Sequence, residues 1–314
     1  MDCNCADRLT NSPLHAWQGQ SRWRMLATDF GNGSAFLQTW ATWQADAQRS
    51  KQLHFTAVLP QPLDGQMVLA HAPTALQPQA QALAQQLVGL LPGVHRLSFE
   101  QGRVLLTLWV GDLHTLLRQQ ASTADAVLLH AALDADAHNV KALARHCQRG
   151  TVLQIGSGAK TTPSDALRHN LTTAGFVFTD TAIAGATAAQ PSIAHYAPRW
   201  EPRQRAGGIT PLAHAGTALV VGAGLAGAAV AHSLALRGWQ VTVLGAGDTP
   251  ADGASGLPAG LFCPHVSPDD SVLSRLSRNG VRMTLQRLRD VCREGHDWGS
   301  SGVLEHCTDG GTGL

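Results

Sequence analysis

Apolar residues fall in short blocks along this chain, and the period changes from block to block. Residues 25–28 and 53–59 are strand-like runs. Between them, Phe36, Leu37 and Trp40 recur at helical spacing over residues 34–43, after the turn Asp29-Phe30-Gly31-Asn32-Gly33. Residues 75–91 are rich in Gln, Ala and Leu and predict one helix, stopped by Pro92-Gly93. Residues 94–99 and 103–110 flank Glu100-Gln101-Gly102 as the two strands of a hairpin. Beyond them the pattern predicts helices over 113–120, 139–146 and 167–174, alternating with strands over 126–129, 152–155 and, last, 176–179. This alternation predicts an α/β domain with a mixed sheet over residues 1–180. Residues 181–216 are rich in Ala, Pro and Gly, with Pro191, Pro198, Pro202 and Pro211, and read as a linker.

A second domain is expected over residues 217–314. It opens ALVVGAGLAGAAVAHSLALRGWQVTVL, from Ala218 to Leu244. The run ending at Val221 reads as a buried parallel strand. Gly222, Gly224 and Gly227 then supply G-x-G-x-x-G, and residues 240–244 read as the next strand. Gly222 permits a tight turn, Gly224 lets backbone approach a pyrophosphate, and Gly227 lets the helix pack closely on the strand. Ala231 and Gly238 continue the helix-packing positions. A strand before the motif and a second strand after its helix are the context that gives it meaning. The acid that usually follows the second strand and holds a ribose hydroxyl is missing. That place reads Leu244-Gly245-Ala246-Gly247, and the first acid is Asp248. The motif therefore points to a pyrophosphate at a helix N-terminus without choosing between FAD and NAD.

Composition adds exclusions. The chain has 314 residues, 44% hydrophobic and 14% charged, with a net charge of +1. No overall field calls for nucleic acid or an anionic membrane. The six cysteines form no C-x-x-C pair, and Cys3-x-Cys5 is too close for usual zinc spacing, so no metal is expected. No signal pattern opens the chain and no apolar run reaches membrane-spanning length, so a cytoplasmic protein is expected. The short second domain and the Gly-rich end at Asp309-Gly310-Gly311-Thr312-Gly313-Leu314 read as a truncated gene product or fragment.

Three stretches resemble one family. Residues 30–40, FGNGSAFLQTW, are similar to that family's FGTGLNFLTLW. Residues 92–112, PGVHRLSFEQGRVLLTLWVGD, follow its PG-x-HR…GRV-x-L-x-LW-x-GD. The third joins the glycine fingerprint, Arg237-Gly238-Trp239-Gln240-Val241-Thr242, and Gly253-Ala254-Ser255-Gly256 with Gly260. The chain thus resembles the bifunctional tRNA 5-methylaminomethyl-2-thiouridine biosynthesis proteins.

The resemblance implies a methyltransferase-like mixed-sheet domain followed by a truncated Rossmann-like FAD-binding domain. It implies two activities on the tRNA wobble uridine. An FAD-dependent oxidoreductase removes a carboxymethyl group, and an S-adenosylmethionine-dependent methyltransferase then methylates the exposed amine. It places FAD at Gly222, Gly224, Gly227, Gly253, Ala254 and Ser255, and S-adenosylmethionine at Gly31, Gly33 and Asp112. The first half departs from the pattern. Ala27-Thr28-Asp29 replaces the family's acid-led E-S-G, Val58-Leu59-Pro60 replaces its F-E-K, and Leu129-His130-Ala131-Ala132 replaces its L-D-G-F. Weak S-adenosylmethionine binding and no methyl transfer are therefore expected. His130 is either a base at neutral pH or, more plainly, a strand-end histidine. Asp112 serves equally as a helix cap.

Arg275, Arg278, Arg282, Arg287, Arg289 and Arg293 form a basic stretch that reads as a tRNA-phosphate contact or as the solvated side of an amphipathic helix. In the latter, Leu273, Leu276, Leu285 and Leu288 pack on the sheet. Arg199, Trp200, Arg203 and Arg205 of the linker are read the same two ways. Two further readings stay open: a non-catalytic, tRNA-binding remnant, and an NAD-linked oxidoreductase fragment. No catalytic residue is named.

Overall fold

The apolar runs of the first part pair into one eight-stranded sheet in the computed structural model, which describes residues 13–130, 136–156, 163–179, 192–200, 212 and 214–304. The chain divides into two compact units, Met1–Arg203 and Gln204–Leu314.

The strands of the first unit are β1 (Arg22–Ala27), β2 (Gln52–Leu59), β3 (Gly93–Phe99), β4 (Val104–Val110), β5 (Ala124–Leu129), β6 (Cys147–Ile155), β7 (Phe176–Thr179) and β8 (Ser192–Tyr196). Their order is β3-β4-β2-β1-β5-β6-β8-β7. β4, β2, β1, β5 and β6 are mutually parallel. β3 runs antiparallel to β4, and β8 runs antiparallel to both β6 and β7. The helices are α1 (Ser34–Ala45), α2 (Gly65–His71), α3 (Gln77–Ala84), α4 (Leu113–Gln119), α5 (Ala137–Ala144) and α6 (Asp165–Thr173).

Alternate residues of each central strand enter two separate cores, as a sheet covered on both faces requires. Met25, Ala27, Phe55, Ala57, Leu106, Leu108, Ala126 and Leu128 join one core with Phe36, Leu37 and Trp40 of α1. Leu26, Val58, Trp109, Val127 and Leu129 join the other, with Leu117, Val140, Leu143 and Leu171 of α4 to α6. Aromatic rings tie the first core together. Phe36 lies edge-on to Phe55 at 5.4 Å between centroids, and Trp40 lies 4.8 Å from Phe99.

Two expectations are corrected here. The helix expected over 75–91 is shorter: α3 ends at Ala84, and turn hydrogen bonds from Gln86 N–H to Leu83 O and from Leu87 N–H to Ala84 O follow it. Those turns roll Leu87 and Leu90 into the core, which outweighs helix propensity. The short α2 before it was not predicted; Asp64 caps it, accepting the Gln66 N–H at 2.9 Å. Likewise, residues 176–179 are not the last strand of the sheet. β8 lies within the stretch read as linker and pairs Val152 with His195 and Phe178 with Ala194. Pro191 and Pro198 flank it and mask a five-residue strand in a proline-rich composition. The rest of that stretch, apart from residues 197–200, 212 and 214–216, lies outside the described residues, as do Arg203, Arg205, Cys3, Cys5, Cys307, Ala131, Ala132 and the Gly-rich end.

The second unit is a βαβ unit followed by a long loop and a helix. β9 (Thr217–Val221) and β10 (Gln240–Leu244) are parallel, with α7 (Leu225–Ala235) between them. Gly238 stops α7 rather than packing it. With φ +85° it lets its own N–H reach Ala235 O and the Trp239 N–H reach Leu234 O, a left-handed C-cap. The final helix is α8 (Val272–Val291), capped by the Ser271 hydroxyl, which accepts the Ser274 N–H.

Candidate functional site

Parallel strands all end on one side of the sheet, and in doubly wound folds ligands bind there, where the strand order reverses. In the first unit that point is the carboxyl end of β1. The chain leaves β1 to pair with β2 on one side, and β5 fills the other. The glycine loop lies directly above it. Thr28 N–H donates to Leu128 O of β5 at 3.1 Å and Phe30 N–H donates to Val58 O of β2 at 2.7 Å, so the loop spans both neighbours. Asp29 accepts the Gly31 N–H at 3.0 Å, and Asn32 accepts both N–H and O–H of Ser34.

Gly31 and Gly33 both have positive φ, +54° and +83°. Nothing lies within 4 Å of a Cβ placed on Gly31, whereas one on Gly33 meets the Phe30 ring at 3.2 Å. Gly31 therefore presents open backbone, while Gly33 starts α1 against a packed ring.

Asp112 and His130 stand at the same sheet end, after β4 and β5. The Asp112 carboxylate accepts the Thr115 N–H at 2.8 Å and caps α4, and this bond holds its pKa below the ordinary carboxylate value. The His130 N–H donates to the Thr28 hydroxyl at 3.0 Å. Burial pushes the His130 imidazole below the usual histidine pKa, opposed in part by the Asp29 charge. Burial thus favours its neutral form. A groove of about 560 Å³ beside α2 and α3, lined by Leu63, Gln66, Gln81 and Leu90, includes none of these residues.

In the second unit three segments converge on the start of α7. Gly222 has φ +107° and donates its N–H to Leu244 O at 2.7 Å, tying the glycine turn to the end of β10. A Cβ on Gly227 would overlap the Gly222 carbonyl oxygen, so helix and turn touch backbone to backbone. A Cβ on Gly224 would lie 2.8 Å from the Ser255 hydroxyl, which itself accepts the Leu225 N–H at 3.1 Å. Ala251 N–H donates to Ala223 O at 3.0 Å. Gly253, Ala254 and Ser255 are thereby held beside the glycine turn, two motifs thirty residues apart in sequence. The α7 N-terminus has no side-chain cap of its own, and the N–H groups of a helix's first turn lack partners within the helix.

The basic helix is less settled than its periodicity implies. Leu273 and Leu276, expected to pack on the sheet, are 60% and 64% exposed, while Ser274 and Gln286 are buried. Val220 is the one buried hydrophobic residue of this unit among the described residues, so there is little core for α8 to cover. Arg278 pairs with Asp270, and burial lowers the Arg282 pKa. No group of three or more His, Cys, Asp or Glu suited to a metal occurs among the described residues, and no helix among them is long and apolar enough to cross a membrane.

A mixed eight-stranded sheet with a glycine loop at its switch point, followed by a glycine-fingerprint βαβ unit, defines a two-unit α/β protein. Residues 217–313 match the family described as FAD dependent oxidoreductase. Over nearly the whole chain, the similarity is to the tRNA 5-methylaminomethyl-2-thiouridine biosynthesis bifunctional protein MnmC. The protein of that name from Acidovorax sp. (strain JS42) is 50% identical over 312 residues, 95% of this chain and 48% of that protein. The one from Paracidovorax citrulli is 49% identical over 308 residues, 94% of this chain and 47% of that protein. The resemblance carried by the motifs is thus a homology, and the chain spans about half the length of the curated relatives it matches. The crystal structure of MNMC2 from Aquifex aeolicus aligns with a TM-score of 0.41 at 12% identity, covering 64% of this chain and 59% of that one, a likeness too low to transfer fold or function.

Proposed function

We propose that this chain belongs to tRNA wobble-uridine modification, in the step from carboxymethylaminomethyl- to methylaminomethyl-2-thiouridine, as an FAD-binding oxidoreductase lineage with a decayed methyltransferase half. The observation that carries the reading is the convergence of the turn over residues 222–227 with Gly253, Ala254 and Ser255 at the start of α7. Gly222, Gly224 and Gly227 hold the pyrophosphate against the first-turn N–H groups, where the helix dipole favours negative charge. Ser255 sets the mouth of that cradle, since its hydroxyl already lies against Gly224. When bound, FAD supplies the redox chemistry for oxidising a C–N bond. The protein's part is to bind and orient.

In the first unit, Gly31 and Gly33 offer backbone to S-adenosylmethionine, with Asp112 at the next loop. Leu59 occupies the place of the ribose acid, and the Asp112 carboxylate is engaged at the start of α4. Both weaken that cofactor, and we assign the unit no methyl transfer. A first domain that includes β8, a second domain over 217–314, and tRNA as the partner are part of the same proposal. The same observations in the first unit favour, as second reading, a tRNA-binding scaffold without catalysis.

The deciding experiment is the visible spectrum of the purified chain after incubation with FAD and removal of free cofactor. A retained flavin band is expected. No band, together with salt-sensitive tRNA binding, would replace the proposal by the scaffold reading.

A further inference from the structure

The glycine fingerprint of the second unit lacks its usual acid, yet a carboxylate reaches the same neighbourhood by another route. β10 ends at Leu244, and Gly245 follows so close to the glycine turn that a Cβ on it would lie 3.2 Å from the Ala223 Cβ. The chain then reverses. Ala251 takes a left-handed conformation, φ +64°, which an alanine adopts only when its surroundings impose it. Its N–H is fixed to Ala223 O, and a Cβ on Gly256 would overlap its carbonyl oxygen. Asp252 comes next. Its carboxylate folds back onto Gly247, three residues past β10, so closely that a Cβ on Gly247 would overlap Oδ2. The loop is therefore pinned on both sides of Asp252, at Ala251 and at Ser255, and the glycine at 247 makes room for the carboxylate.

We infer that Asp252 is the ribose-binding acid of the dinucleotide site, accepting hydrogen bonds from the adenosine ribose hydroxyls in place of the missing residue at the end of β10. The inference rests on the FAD reading above. Asp252 is a binding residue, and its carboxylate takes no part in redox chemistry. Asp248, the nearest acid in sequence to β10, serves as the control.

The test is calorimetric titration of the full chain with FAD, ADP and 2′,3′-dideoxy-ADP, for the wild type, Asp252→Asn, Gly247→Ala and Asp248→Asn. A charge-assisted pair of ribose contacts predicts about tenfold or greater preference of the wild type for ADP over the dideoxy analogue. Asp252→Asn should abolish that preference and weaken FAD by a similar factor. Gly247→Ala should do the same with the charge retained, and Asp248→Asn should behave as wild type. Tight FAD and an intact ADP preference in Asp252→Asn would overturn the inference and leave the FAD reading standing. A wild type that takes neither FAD nor ADP would overturn both.

Discussion

Substituting Gly227 by alanine tests the backbone contact on which the second unit is built. The added Cβ would fall on the Gly222 carbonyl oxygen, with Val220 Cγ1 3.6 Å away. Rotamer changes give no relief, because the atom met is backbone. Nor is the turn free to retreat: Gly222 sits at φ +107° and is tied by its N–H to Leu244 O at 2.7 Å. Helix and turn must separate. Overpacking of this kind costs about 1–3 kcal/mol. Carried into the displaced N–H groups, that is about a fivefold to 150-fold loss of FAD affinity. The assay is flavin retention by visible absorbance beside thermal unfolding of the same samples. Gly280→Ala in α8 is the matched control. Nothing lies within 4 Å of its Cβ, so the same change in a helix interior should stabilise by about 0.5–1 kcal/mol and leave flavin binding intact. If Gly227→Ala retains flavin and melts like the wild type, the close packing of α7 on the glycine turn is wrong.

Three further outcomes are expected. Ser50→Ala removes the acceptor of the buried Trp43 indole N–H, 3.0 Å away, and the donor to Gln52 O; a loss of about 1–3 kcal/mol in urea unfolding should follow, and no loss would contradict the buried pair. Burial pushes the Cys147 thiol up to about 12 while Cys263 is exposed, so peptide mapping after brief alkylation at pH 8 should find Cys263 modified and Cys147 intact until the protein is unfolded. Asp46 is held below its ordinary pKa by the Trp17 indole N–H at 2.7 Å and by the Gln48 N–H. Its stabilising effect is therefore present above the unfolded value and lost as pH falls through the folded one, so wild type and Asp46→Asn should converge in stability below about pH 4; a constant gap to lower pH would contradict this.

What could be read in the sequence follows from which interactions are local. The central strands were legible because their side chains enter cores on both faces, leaving uninterrupted apolar runs. The glycine fingerprint was legible because its spacing encodes backbone geometry, and positive φ at Gly222 and backbone contact at Gly227 bear that geometry out. β8 was hidden because its pairing with β6 and β7 is a tertiary choice made against a proline-rich composition. Asp252 was hidden for a sharper reason. What places its carboxylate is a left-handed alanine, and no residue preference announces one; only the contacts to Ala223 and the absence of a side chain at Gly247 reveal it. The amphipathic period of α8 predicted a helix correctly but could not say what covers its leucines, since periodicity fixes a face and not its partner. The two units accordingly differ in what holds them. The first closes two cores with its own side chains. The second, with Val220 the one buried hydrophobic among its described residues, is ordered chiefly by backbone hydrogen bonds around its glycine turn. Under the proposed function a dinucleotide would engage the first-turn N–H groups of α7 beside those bonds, so binding would add to the order of this unit.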